Sequence, residues 1–141
     1  MMRTTLKYLL LMFTPVLLLP VQAENSIRVV ANTEGKELTL GREQVRNLFM
    51  GASLGYDLRP VALPPKNRTR MIFNTQIIGL TESRIQSYWA QMKFTGRMQP
   101  PREINDEPAL LDYLVAHPGS VGYLPADIQI PDALTVLYEV R

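Results

Sequence analysis

The apolar positions of this chain change period along its length, and each change marks an element. Residues 26–31, SIRVVA, are rich in β-branched side chains and predict a buried strand. Val45, Leu48 and Phe49 share one face at helical spacing, which predicts a helix over residues 41–49, ended at Gly51. Residues 58–63 predict a short strand, stopped by Pro64 and Pro65. Ile72, Phe73, Ile77 and Leu80 form the apolar side of a helix over 68–78, with Asn67 as its N-cap and Gly79 as its terminator. Thr81 caps a further helix over 82–93, where Ile85, Trp89 and Met92 lie at i, i+4 and i+7. Trp89, the one tryptophan, is expected to anchor the core. Pro100 and Pro101 forbid helix across 96–101. Asn105 or Asp106 then caps a helix over 107–116, with Pro108 in its tolerated first turn and Leu110, Leu111, Leu114 and Val115 facing inward. Residues 120–124 and 133–140 predict two more strands, and Gly122 predicts close backbone approach in the first. Strands alternating with helices imply an α/β domain, a sheet with helices packed on it.

The first 23 residues stand outside this pattern. Arg3 and Lys7 precede an apolar run over 8–19, and Val21-Gln22-Ala23 has the small residues of a cleavage site. The run is short for ~30 Å of hydrocarbon, so a cleaved export leader is expected rather than an anchor, with the mature chain beginning at Glu24. No cysteine stands at that site or elsewhere, which excludes a lipoprotein anchor, disulfides and thiolate metal ligands. The expected destination is a bacterial periplasm or the cell exterior, where nucleic acid is a poor partner, and no stable membrane anchor is expected.

Export changes the charge balance. The 118 residues that remain carry thirteen basic and thirteen acidic side chains, against a formal +2 for the whole chain. The charges are unevenly placed: residues 42–102 sum to +7 and residues 103–141 to −6. Either the asymmetry makes a directional field that attracts a partner, or the two halves interleave and cancel. The first case predicts a homodimer or docking onto an acidic envelope protein, weakened by salt.

Charge is densest at Lys66, Asn67, Arg68, Thr69 and Arg70, where a helix begins. A helix start already carries partial positive charge, so cations there oppose stability but suit an anion held by free N–H groups. The five residues are therefore the candidate ligand site, for phosphate or a related oxyanion; the bland alternative is a solvated basic turn. Replacing Arg68 and Arg70 is then expected to leave the apo fold intact or slightly more stable. Nothing points to an enzyme. His117, the one histidine, sits where it would cap a helix C-terminus, and no spacing suggests a metal or a cofactor. Ser83, Ser87 and Ser120 have no identifiable base, and Asp106, Glu107 and Asp112 read as an acidic first turn and solvated face.

Three signatures stand in order: Leu48-Phe49-Met50-Gly51; the basic turn with Phe73, Tyr88-Trp89, Phe94-Thr95-Gly96 and Pro100-Pro101; and Pro118-Gly119-Ser120-Val121-Gly122-Tyr123. Together, across residues 26–123, they resemble one lobe of the periplasmic substrate-binding protein of phosphate ABC transporters, closest to its short single-domain relatives. The resemblance implies a single lobe of the type 2 periplasmic binding protein-like fold, a mixed sheet with helices packed on it, and a role linked to ABC transport. In that family an arginine followed by Ser-Gly-Thr presents hydroxyls and backbone N–H groups to phosphate. Asn67-Arg68-Thr69 occupies the corresponding stretch, with Arg68 in place of the glycine and no arginine at Pro64. The second lobe's glycine-rich loop has no counterpart. Two functions therefore stand: capture of phosphate or a related oxyanion, and an accessory or sensory module that has lost the ligand and binds protein.

Overall fold

The computed structural model describes residues 25–140, together with Pro15; the rest of the expected leader and its cleavage site lie outside these residues. Five strands form one mixed sheet in the order β3-β2-β4-β1-β5. They are β1 (Ile27–Ala31), β2 (Arg59–Ala62), β3 (Arg102–Glu103), β4 (Ser120–Pro125) and β5 (Thr135–Glu139). β1 runs antiparallel to β4 and β5, and β2 runs parallel to β3 and β4. Central β1 and β4 are buried almost throughout, which accounts for their near-continuous apolar sequences.

Helices cover both faces. Alternate residues of β4 point to opposite sides. Tyr123 meets Phe49 of α1 (Arg42–Phe49) and Phe73 of α2 (Arg68–Phe73), whereas Gly122 faces Leu110 of α4 (Glu107–Ala116). A Cβ at Gly122 would lie 3.2–3.4 Å from the Leu110 side chain. The close approach at this glycine is thus made by a helix side chain, not by backbone. Trp89 of α3 (Glu82–Phe94) is buried, as its spacing predicts.

Three of the helix starts are capped by a side chain. The side-chain oxygens of Asn67, Thr81 and Asp106 accept from the backbone N–H of Arg70, Arg84 and Ala109. Asn32, just past the end of β1, donates from Nδ2 to the carbonyls of Leu114 and Val115 at the end of α4. His117 Nδ1 lies 2.8 Å from the Tyr113 carbonyl while its ring stacks on Tyr113, so the histidine does act at the helix end.

Three expectations need correction. The helix expected over 68–78 is α2 followed by a π-helical turn, Asn74–Ile78. Gly79 adopts φ 73° there, and its N–H reaches back five residues to Asn74 O at 2.7 Å. The turn's outer carbonyls are capped by α1, with Arg42 Nε donating to Gln76 O and Arg46 Nε to Ile78 O. β3 has no counterpart among the expected strands, because two exposed charged residues carry no apolar alternation. The last strand is shorter than 133–140, since residues 132–134 form a turn, with Leu134 N–H on Pro131 O.

Candidate functional site

The candidate helix start lies where α2 meets the N-terminus of α4, and acidic side chains crowd it. Glu107, the first residue of α4, turns its carboxylate onto α2. One oxygen, Oε1, accepts from Thr69 Oγ1 at 2.7 Å and from Asn67 Nδ2 at 3.0 Å. These are the side-chain donors that an oxyanion at this start would use. Burial works against the charged form of Glu107, but hydrogen bonds from Thr69 and then Asn67 outweigh it and hold the carboxyl below its ordinary range.

Arg70 is engaged in the same way by a second carboxylate. Its side chain is only 9% exposed. Nε and Nη2 donate to the two oxygens of Glu82, at 3.0 Å for Nε, in a bidentate pair. Nη1 donates to the Leu63 carbonyl at 2.8 Å and lies 3.5 Å from Glu103 Oε1. Glu82 also accepts from Asn74 Nδ2 at 2.7 Å and Gln86 Nε2 at 2.8 Å. Burial again opposes its charge, while the bonds from Arg70 and Gln86, the Arg70 charge and the Asn74 bond lower its pKa.

The five candidate residues thus divide. Asn67, Thr69 and Arg70 point into the fold and meet carboxylates, whereas Lys66 and Arg68 are exposed, with Arg68 Nη2 on Asn25 Oδ1 at 3.4 Å. The expectation that an Arg68 and Arg70 replacement leaves the fold intact does not survive for Arg70, whose guanidinium is a buried structural cation. The acidic half of the sequence also reaches back onto the basic half, through Glu103 on Arg70 and Glu107 on the turn, so the two blocks interleave in part. Glu107 is not the solvated first-turn residue its position suggests; it is half-buried and bonded to α2.

Sequence reasoning missed a cavity of about 440 Å³ between α1, α2, α3 and the Pro100–Pro101 loop. Phe49, Phe73, Trp89 and Tyr123 line it, with Lys93 and Glu103 among its polar residues. Phe73 stacks on Tyr123 with ring centroids 3.9 Å apart and meets Phe49 edge-on at 4.8 Å. The Tyr123 hydroxyl accepts from the Leu63 N–H at 3.0 Å, and burial pushes its pKa up. The three rings come from elements far apart in sequence; the order of the motifs is the one signal for their meeting. Among the described residues no group of three or more metal-ligating side chains converges, and no helix is long and apolar enough to cross a membrane.

No family model matches this sequence, and neither does any curated protein. Solved structures do match its fold. One is described as a putative phosphate ABC transporter substrate-binding protein from Clostridium perfringens, with bound phosphate: TM-score 0.62, 12% identity, covering 79% of this chain and 44% of the other. Another is an ABC-type phosphate transport receptor from Vibrio cholerae: TM-score 0.59, 13% identity, covering 79% of this chain and 45% of the other. The chain spans less than half the length of these structures. Its fold is that of a single lobe of a substrate-binding protein, a mixed five-stranded sheet with helices on both faces.

Proposed function

We propose that this protein is an exported binding-protein-like lobe that works by docking to protein, its anion-reading helix start closed by its own carboxylate. One observation carries the proposal: Glu107 Oε1 takes the donors of both Asn67 and Thr69. A phosphate group at that point would have to displace a half-buried, hydrogen-bonded carboxylate or sit beside it as a like charge. Removal of the leader after Ala23 and a periplasmic location belong to the same proposal, as does a binding rather than enzymatic role.

The second reading is capture of phosphate or a related oxyanion at Lys66–Arg70, linked to ABC transport. The phosphate bound by the Clostridium structure favours it, as do the two exposed cations Lys66 and Arg68. Calorimetric titration of inorganic phosphate and sulfate into protein purified from full-chain expression separates the two. Docking predicts no saturable heat and no rise in melting temperature. A site of ~0.1 mM affinity would instead stabilise the fold by about 2.7 kcal/mol at a hundredfold excess over Kd. A saturable signal that disappears in the Asn67→Ala, Thr69→Ala variant would overturn the docking role in favour of oxyanion capture.

A further inference from the structure

We propose that the partner is a second copy of this chain, with Phe94 of each copy seated in the aromatic cavity of the other; this rests on the docking role proposed above. Phe94 ends α3 and is 93% exposed, the most exposed large apolar side chain among the described residues. The other aromatic residues of α3 are used within the fold: Trp89 is buried, and Tyr88 donates its hydroxyl to the Met50 carbonyl at 2.7 Å. An aromatic ring left in water at a helix end, beside an aromatic-lined cavity, has the character of an interface anchor.

The cavity suits a phenyl ring. A cavity of about 150 Å³ already holds a benzene molecule; this one offers about 440 Å³, with Phe49, Phe73, Trp89, Tyr123 and Ile85 forming its apolar wall and Arg70, Lys93 and Glu103 among its polar residues. The anchor and the cavity also share one patch. Lys93, the residue before Phe94, lines the cavity, and Ala90 one turn earlier lines it as well. A two-fold axis passing between the ring and the cavity brings each ring to the other copy's cavity, which is the self-complementarity an isologous dimer requires.

Charge at the rim agrees. Lys93 is exposed and makes no ion pair among the described residues, and Glu103 has a half-exposed carboxylate whose contact with Arg70 is long, 3.5 Å. The proposed dimer pairs Lys93 of one copy with Glu103 of the other, both of them residues lining the cavity that takes the partner's ring. An unrelated protein would have to supply this combination of apolar knob, acceptor cavity and paired charges; a second copy carries all of it.

Sedimentation velocity and light scattering across a wide concentration range at low salt test the proposal. The parent protein is expected to pass from monomer to dimer, and added salt to weaken the dimer. Phe94→Ala, at an exposed position, and Ala90→Arg, which puts a long cation across the cavity mouth, should each raise the dissociation constant at least about 30-fold, as loss of a dominant anchor does. Circular dichroism and melting should show both variants folded. Lys93→Glu, at an exposed position outside any ion pair among the described residues, should weaken the dimer. A monomer at every concentration, or a dimer indifferent to both Phe94→Ala and Ala90→Arg, overturns the proposal. A monomer that ignores phosphate overturns self-association alone and leaves docking to a different protein, whereas a saturable phosphate response that the Asn67→Ala, Thr69→Ala variant loses overturns the docking role itself.

Discussion

Replacing Arg70 with methionine is expected to destabilise the protein by about 3 kcal/mol, the lower end of the cost of breaking a buried ion pair. The guanidinium holds Glu82 through two bonds, the Leu63 carbonyl through a third and Glu103 through a weaker contact. Without it the Glu82 carboxylate keeps only Asn74 and Gln86, and the buried Leu63 carbonyl loses its side-chain donor. The Glu82 side chain is 26% exposed and that of Glu103 51% exposed, so water reaches both and holds the cost below the upper end of the range. The melting temperature should fall by about 10–15 °C. Arg68→Ala, at an exposed neighbour, should stay within about 0.5 kcal/mol of the parent in the same urea or thermal melts. An Arg70→Met protein that melts within two or three degrees of the parent would show that the guanidinium does not organise the α2–α3 junction.

Phe73→Ala should cost about as much or more, roughly 3–5 kcal/mol. Phe73 is 2% exposed and lies between two rings, face to face with Tyr123 and edge-on to Phe49. Each such pair is worth about 0.5–1.5 kcal/mol beyond the buried area. The truncation enlarges a cavity that already borders the site, and α1, the sheet and α3 fix its walls, so the space cannot readily collapse. Phe73→Leu keeps most of the volume and should cost much less. Urea denaturation gives the stabilities, and near-ultraviolet circular dichroism reports whether the aromatic cluster has loosened. A loss below about 1 kcal/mol for Phe73→Ala would remove this stack from the core.

Burial makes much of the fold legible in the order of the residues. β1 and β4 are buried on both faces and read as apolar runs, while Val45, Leu48 and Phe49 mark the inner side of α1. The caps at Asn67, Thr81 and Asp106 are legible because a cap depends on residues three apart. What depends on distant residues is not. Glu107 lies 38 residues from Thr69, and only the packing of α2 and α4 at one end of the sheet brings them together. Its own position, first in an acidic helical turn, has a sufficient local explanation, which hides the tertiary one. Arg70 is a similar case: a cation in a run of cations reads as surface until Glu82, twelve residues on, is placed against it. The cavity needs Phe49, Phe73 and Tyr123 to converge from a helix end, a second helix and a central strand. β3 is set by a neighbour rather than by its sequence, with Ile104 N–H on the Ala62 carbonyl at 2.8 Å closing its pairing to β2.

The most direct measurement on the closed helix start is the titration of the Glu107 side-chain carboxyl by carbon-detected NMR, with and without inorganic phosphate. Bonds from Thr69 and Asn67 hold the charged form, so the carboxyl should titrate below the ordinary glutamate range, and millimolar phosphate should leave its midpoint and chemical shift unchanged. Asn67→Ala with Thr69→Ala should return the midpoint upward. A Glu107 that titrates at or above its ordinary value, or whose resonance moves saturably with phosphate at neutral pH, would contradict a helix start closed by its own carboxylate.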